Sequence, residues 1–157
     1  MVTADKSLSQ YDPSKVPDGK IFRVALVVSE WNESVTEALF QGAKDTLLDH
    51  NITEANIVRV DVPGSFELIY GANRAQQMDV DAIIAIGCVI QGETRHFEFI
   101  SNTVAQGIKD LNLNGKAPVV FCVLTDNTIE QSKARSGGAK GNKGVEAAVT
   151  ALRMINL

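Results

Sequence analysis

The sequence predicts an α/β fold, a three-layer αβα sandwich around a four-stranded parallel sheet. Short apolar runs of strand length alternate with longer amphipathic segments of helix length along most of the chain. Such alternation indicates βαβ units, which give parallel strands with helices on both faces. The most apolar run, AIIAIGCVI, suits a central strand that is covered on both sides. A length of 157 residues fits a single domain.

The chain is predicted to begin with an extended N-terminal arm, residues 1–20, followed by one α/β domain, residues 21–157. The arm is polar and contains Pro13, Pro17 and Gly19, and such residues disfavour regular structure. It has no apolar core of the length that a signal peptide needs.

The elements of the domain follow from periodicity. Residues 32–50 form a helix because Val35, Leu39, Ala43 and Leu47 recur every four residues. The predicted strands are 23–28, 57–62, 82–90 and 119–124. Four more helices are predicted. The first spans about 66–78, the second carries Phe97, Ile100, Val104 and Ile108, and the last two span 128–136 and 143–155. The handedness of crossover connections leaves few topologies, of which a flavodoxin-like sheet is the simplest.

Composition excludes several classes of function. The formal charge is −4 and no basic stripe is present, which argues against nucleic acid as a partner. No segment approaches the roughly 18 apolar residues of a membrane span. Cys88 and Cys122 sit singly in apolar runs, typical of buried thiols in a reducing compartment. We expect a soluble cytoplasmic protein with no metal and no organic cofactor.

Ligands of such sheets bind outside the carboxyl ends of the strands, so function should lie in the loops 29–33, 62–67, 91–96 and 125–131. The common phosphate signatures are missing from them. No two glycines in the chain are separated by a single residue, and neither Gly-Lys pair is followed by Ser or Thr. A dinucleotide-binding or P-loop protein is therefore not supported.

The first two loops carry aromatic rings next to polar groups. Trp31 is either a partly exposed ring that packs on its own helix or a platform for a planar heterocycle. Asn32 and Ser65 are each favoured as helix caps, with the amides of residues 65–67 left as free donors. Capping does not account for Phe66 followed by Glu67, a pair that would suit a heterocycle with N–H groups.

The loop QGETRH combines features of an anion site with a histidine. Gly92 allows close backbone approach, and Thr94 can cap a helix whose N-terminus attracts anions. His96 then falls in the first helical turn, where it is either a structural histidine or, as we favour here, a proton carrier. His50 is better explained by the dipole at a helix C-terminus.

Basic residues cluster in KARSGGAKGNKG, residues 133–144. Arg135, Lys140 and Lys143 among glycines form either a solvated turn between helices or a phosphate site, since arginine binds phosphate oxygens in a bidentate fork.

Taken together, VPGSFEL, GCVIQGETRHFEF, FCVLTDNTIEQ and GNKG resemble the lumazine synthase family, in this order and spacing from about residue 22 to residue 157. The resemblance implies a transferase of riboflavin biosynthesis without a cofactor. Its reaction condenses 5-amino-6-(D-ribitylamino)uracil with 3,4-dihydroxy-2-butanone 4-phosphate to 6,7-dimethyl-8-ribityllumazine, with release of phosphate and water.

The resemblance also implies residue roles. His96 matches the family's proton-transfer histidine, and Phe121 matches a residue that a neighbouring subunit contributes. The implied substrate-binding residues are Trp31 for stacking, Asn32, Ser65, Phe66 and Glu67 for the ring edge and ribityl chain, Cys88, Val89 and Ile90 for the pocket wall, Glu93, Thr94 and Arg135 for the phosphate, and Lys143 for polar groups.

The sequence departs from the family pattern in two respects. Trp31 stands where many members have Phe, which preserves a stacking ring. Glu93 and Arg95 flank Thr94 at positions that are often small or polar, so a carboxylate lies near the phosphate loop and Arg95 is available to offset it.

The family forms pentamers, some of which assemble into an icosahedral 60-mer. Members that stop at pentamers often carry an insertion between the last two helices. The uninterrupted SGGAKGNKG favours the shell.

A non-enzymatic flavin-binding protein of flavodoxin-like fold is the alternative from another class. It would use the same strand-end site, aromatic ring and helix terminus. Flavodoxins usually place their phosphate loop after the first strand, where SEWNE contains no glycine, which counts against this alternative.

Overall fold

The computed structural model describes residues 7–157 and confirms the parallel sheet. Four strands pair in the order β2-β1-β3-β4, all parallel. Their bounds are β1 Val24–Ser29, β2 Ile57–Val62, β3 Ala82–Ile90 and β4 Val119–Asp126. The sheet order places β1 and β3 at the centre and leaves β2 and β4 as its edges.

Five helices cover the two faces of the sheet. They are α1 Glu33–Asp49, α2 Leu68–Ala75, α3 His96–Asn114, α4 Ile129–Arg135 and α5 Lys143–Ile155. One apolar cluster joins the sheet to α1 and α5, and a second joins its other face to α2 and α3. The three-layer αβα arrangement predicted from the sequence is thereby confirmed.

Burial explains why the central strands could be recognised. All six residues of β1 and the first seven of β3 are buried. Alternate side chains of β1 enter opposite clusters, with Leu26 in the first and Val27 in the second. A strand that packs on both faces must be apolar throughout, as the runs VALVV and AIIAI are.

The segment between α4 and α5 is a small antiparallel hairpin. It comprises β5 Ser136–Gly138 and β6 Gly141–Asn142. Gly137 and Gly141 adopt φ values of 124° and 85°, a region that side chains disfavour. The glycines of SGGAKGNKG therefore serve a tight turn of defined geometry.

The described part of the arm packs on this hairpin. Leu8 is buried, and its amide donates to the carbonyl oxygen of Lys140 at 2.8 Å. Pro13–Lys15 forms a short 3₁₀ helix capped by Asp12, whose Oδ1 accepts from the Ser14 amide at 3.1 Å. Residues 1–6 of the predicted arm lie outside the described residues.

Cys88 and Cys122 are free and buried, as predicted. Burial raises the pKa of the Cys122 thiol to about 12, so it stays protonated at neutral pH. Within residues 7–157, each helix is too short or too polar to cross a membrane.

Candidate active site

A cavity of about 560 Å³ opens at the carboxyl ends of the central strands. The loops after β1 and β2, the end of β3 and the start of α3 form its walls. The lining residues are Trp31, Asn32, Gly64, Ser65, Phe66, Glu67, Cys88, Val89, Ile90, His96 and Ile100. Three loops that are distant in sequence converge here because parallel strands end at one edge of the sheet.

Nine of the residues predicted for the site line this cavity: Trp31, Asn32, Ser65, Phe66, Glu67, Cys88, Val89, Ile90 and His96. Sequence reasoning missed two of the lining residues. These are Gly64, for which the sequence suggested no role in the site, and Ile100, which it placed only as an apolar position of a helix. The spacing of Ile100, one helical turn after His96, was the available signal.

Aromatic rings stand open at the cavity. Trp31 is 72% exposed and Phe66 is 48% exposed. Neither ring is needed to fill the core, and exposed aromatic faces are suited to stacking on a planar ligand. The interpretation of Trp31 as a ring packed on its own helix does not fit this exposure.

The side chains of Asn32 and Ser65 do not cap helices, contrary to the prediction. Asn32 precedes α1 with φ 63° and ψ 44°, and its Nδ2 donates to the Cys88 carbonyl oxygen at 2.9 Å. Ser65 Oγ donates to the same oxygen at 3.4 Å. The two side chains join the loops after β1 and β2 to β3, which sets the shape of the cavity.

The prediction that the amides of residues 65–67 are free donors is wrong for Glu67. The Glu67 amide donates to the Gly64 carbonyl oxygen at 3.2 Å, and α2 begins at Leu68. The Glu67 amide is therefore already bonded within the turn, and the side chains of Phe66 and Glu67 are exposed.

The helix start in the loop 91–96 is close to its predicted place, but the N-cap residue of α3 is Arg95 and makes no side-chain cap bond. Helix α3 begins at His96, and Thr94 Oγ1 accepts from the His96 amide at 3.4 Å. Glu93 and Thr94 lie beside the cavity without lining it. Arg95 donates to Glu98 Oε2 from Nε at 3.2 Å and Nη2 at 3.1 Å. The partner of Arg95 is therefore Glu98 rather than Glu93.

Arg135 belongs to a polar network at the end of β4. Its Nη1 donates to the Gln131 carbonyl oxygen at 3.0 Å, and its Nε lies 3.8 Å from Asp126 Oδ1. Ser132 Oγ donates to Asp126 Oδ2 at 2.7 Å, and the Cys88 thiol contacts Ser132 Oγ at 3.4 Å. The network couples Arg135 to the cavity wall at Cys88.

Sequence reasoning did not single out Asp126 or Ser132. The carboxylate at the end of β4, in FCVLTDNTIEQS, was the only signal. The Gln91 amide also donates to the Asp126 carbonyl oxygen at 3.0 Å, which places the loop 91–96 beside this strand end.

Burial, the largest effect, raises the pKa of the Cys88 thiol above its ordinary value.

Phe121 and Lys143 lie at a second cavity, of about 350 Å³, beside the edge strand β4. Phe121 is 36% exposed. Lys143 Nζ pairs with Glu146 Oε1 at 2.5 Å. Over residues 7–157 the first cavity's lining includes none of Phe121, Arg135 and Lys143, so one chain divides the predicted site residues between two regions.

Comparison with known proteins gives the same family as the motifs. A family model described as 6,7-dimethyl-8-ribityllumazine synthase matches residues 21–157. Proteins of that name are similar over most of the chain. One from Christiangramia forsetii is 58% identical over 100% of this chain and 95% of its own length. One from Flavobacterium johnsoniae is 56% identical over 98% and 82%, and one from Porphyromonas gingivalis is 52% identical over 100% and 98%. The chain belongs to the 6,7-dimethyl-8-ribityllumazine synthase family.

Proposed function

We propose that the chain is a transferase that condenses 5-amino-6-(D-ribitylamino)uracil with 3,4-dihydroxy-2-butanone 4-phosphate to 6,7-dimethyl-8-ribityllumazine, the penultimate step of riboflavin biosynthesis. One observation carries the proposal. Nine motif residues from separate loops line a single cavity at the strand ends. Family membership supports the same reaction and gives no support to the flavin-binding alternative.

The cavity suits the pyrimidine substrate. Trp31 and Phe66 offer faces for stacking, and the Glu67 carboxylate accepts hydrogen bonds from ring N–H groups or ribityl hydroxyls. Residues 88–90 line the same cavity. Asn32 Nδ2 uses one of its two N–H donors for the Cys88 carbonyl oxygen, which leaves the second N–H and Oδ1 for the substrate.

The loop 91–96 suits the phosphate of the second substrate. Helix α3 begins there and is 19 residues long, so its N-terminus carries the positive end of a helix dipole. Thr94 adds a hydroxyl, and Arg135 adds a guanidinium that matches phosphate geometry. Glu93 is exposed beside this loop, and its carboxylate can point to solvent.

The chemistry requires no protein nucleophile. One substrate brings the amine and the other the ketone, so the carbon–nitrogen bond forms between the substrates. Holding both in reacting geometry can supply about 7–11 kcal/mol. His96, exposed at the cavity, is positioned to move protons during imine formation and phosphate loss, a role typically worth about 10²–10⁴-fold.

We also propose that the site is completed by a neighbouring copy, within a pentamer. Phe121 and Lys143 lie at the edge strand, at a separate cavity from Trp31 and His96. A second chain docked on this edge would bring both to the first cavity. Several large apolar side chains are exposed, including Tyr70, Phe99 and Leu113 at 68%, 63% and 74%, as expected of an interface.

Three further proposals concern assembly, organisation and location. The compact β5-β6 hairpin, free of an insertion, favours association of pentamers into an icosahedral 60-mer, and sedimentation that showed only pentamers at neutral pH would contradict it.

The division into arm 1–20 and domain 21–157 is supported by the bounds of the family match. Two free thiols support a cytoplasmic location.

The test is direct assay of the product. Purified protein is mixed with both substrates, and lumazine is followed by absorbance and fluorescence against a protein-free control. We expect acceleration over that control. No acceleration with verified substrates, together with stoichiometric binding of FMN, would contradict the proposal and favour a flavin-binding protein.

A further inference from the structure

Asn142 connects four parts of the chain through four hydrogen bonds. Its backbone amide donates to Ser9 Oγ in the arm at 2.9 Å. Its Nδ2 donates to the carbonyl oxygens of Ala38 in α1 at 2.8 Å and of Ser136 in β5 at 3.3 Å. Its Oδ1 accepts from the Gly144 amide at 2.8 Å and so caps α5.

The surroundings of Asn142 leave room for little else. A Cβ added to Gly42 of α1 would lie 2.5 Å from Asn142 Nδ2. A Cβ added to Gly144 would overlap the carbonyl oxygen of Leu39. Helix α1 and the start of α5 are therefore in close contact at this point, and the Asn142 side-chain amide fills the space beside Gly42.

The position of Asn142 relates it to Arg135, the residue proposed to bind phosphate. Ser136, which it binds, directly follows Arg135 at the end of α4, and Lys143 directly follows Asn142. The hydrogen bonds from Asn142 Nδ2 to Ser136 and to Ala38 therefore fix the backbone that carries Arg135 relative to α1. Gly137 and Gly141 have positive φ, which gives this hairpin its tight turn, and the Asn142 side chain attaches that turn to α1.

We propose that Asn142 is a positioning residue that holds Arg135 at a fixed place relative to α1, and so sets the affinity for the phosphate-bearing substrate. The inference rests on the proposed function. A displacement of about 1 Å in a group that binds substrate can cost about 10²-fold in rate, so a tether of this kind is consequential although Asn142 touches no substrate.

Asn142 also has a purely structural role, the cap of α5, and the two roles use different atoms. The cap uses Oδ1, whereas the tether to Ser136 and Ala38 uses Nδ2. Asn142→Asp keeps an oxygen that can accept from the Gly144 amide, and Asp is a good N-cap residue. It removes the donor, because an ionised carboxylate only accepts.

The experiment measures the KM for each substrate, with the other saturating, in Asn142→Ala, Asn142→Asp and a control. The control is Asn156→Ala, which removes a single bond, from Nδ2 to the Leu152 carbonyl oxygen at 2.9 Å, at the opposite end of α5. In both Asn142 variants we expect the KM for the butanone phosphate to rise by roughly tenfold and that for the pyrimidine to stay within about twofold. We expect neither KM to move in the control.

Two results would overturn the inference. If Asn142→Asp keeps the wild-type KM for the butanone phosphate, Asn142 acts only as a cap. If both KM values rise equally, its loss disturbs the whole site. Wild-type protein that forms no lumazine would instead contradict the proposed function, and the premise of the inference with it. Thermal melting of each variant separates loss of folded protein from loss of affinity.

Discussion

The Nδ2 atom of Asn32 lies 2.9 Å from the carbonyl oxygen of Cys88, so the loop that carries Trp31 is attached to the central strand β3. Asn32 has φ 63°, a conformation that Asn and Asp tolerate better than most residues. One residue thus supplies both the turn after β1 and the bond that orients it.

Asn32→Asp preserves the turn and removes the bond. A carboxylate cannot donate to the Cys88 oxygen and is repelled by it, so we expect a loss of about 1–3 kcal/mol in the free energy of unfolding and a raised KM for the pyrimidine. Asn51→Asp is a matched control, since Asn51 also has positive φ, 69°, and donates to Asp18 at 3.2 Å. An unchanged KM in Asn32→Asp would contradict this role.

Trp31→Ala should weaken pyrimidine binding without weakening the fold. The ring is 72% exposed, so its removal costs the core little. Loss of a stacking aromatic costs about 1–3 kcal/mol per base in nucleic-acid binding, and we expect a rise in the KM for the pyrimidine of comparable size. Trp31→Phe, which keeps a stacking face, should retain most of the affinity. Equal KM values in Trp31→Ala and wild type would exclude stacking.

His96→Gln should lower kcat by about 10²–10⁴-fold, the usual contribution of a positioned acid–base group. The chain has one other histidine, which makes His50→Gln a suitable control. His50 ends α1 and contacts the Tyr11 hydroxyl at 3.4 Å, away from the cavity. Full turnover by His96→Gln with both substrates saturating would rule out proton transfer by this residue.

Gly87→Ala should destabilise the protein. A Cβ at residue 87 would lie 2.8 Å from both Ser65 Oγ and Leu68 Cδ1, and overpacking of this kind typically costs about 1–3 kcal/mol. Gly92→Ala is the control, because an added Cβ there meets nothing within 4 Å. Denaturant titration of both variants tests the prediction. Equal unfolding midpoints for the two variants would show that β3 and its neighbours accommodate the extra methyl group.

Glu37→Gln should lower stability in a pH-dependent way. A hydrogen bond from Arg59 at 3.0 Å lowers the pKa of the Glu37 carboxyl below its usual value. A lowered carboxyl pKa stabilises the fold above the unfolded-state pKa, and that contribution disappears as the pH falls through the folded-state pKa. The pair is partly exposed, so we expect about 0.5–1 kcal/mol at neutral pH.

Urea titrations at neutral and acidic pH measure the effect. The difference between wild type and Glu37→Gln should vanish in acid, whereas Glu30→Gln, at an exposed position before α1, should have little effect at either pH. A difference that persisted in acid would show that packing, not charge, is responsible.

The strands were largely predictable from the sequence because β1, β3 and β4 are nearly continuous apolar runs, and the edge strand β2 alternates apolar residues with Arg59 and Asp61. The predicted 57–62 and 82–90 coincide with β2 and β3, and the predicted 143–155 coincides with α5. The cavity wall was predictable because the loops that follow parallel strands must meet. For the loop residues themselves, from Trp31 to His96, the sequence shows only the residue types.

Side-chain direction could not be predicted. Asn32 and Ser65 both precede helices, where capping is the ordinary role, yet both side chains donate to a carbonyl oxygen of a strand that lies elsewhere in the sequence. The same applies to Asn142, whose partners range from residue 9 to residue 144. No local pattern encodes such pairings, because they depend on how closely the elements pack.

The bond between Asn142 and Ser9 spans 133 residues and has a consequence for biosynthesis. Contacts between distant residues form late, since closing a long loop costs entropy before any contact repays it. During translation the whole sheet is synthesised before residue 142 leaves the ribosome. We therefore expect a nascent chain to fold its sheet first and to order the segment around Arg135 last, when the end of α5 and the beginning of the chain are both available.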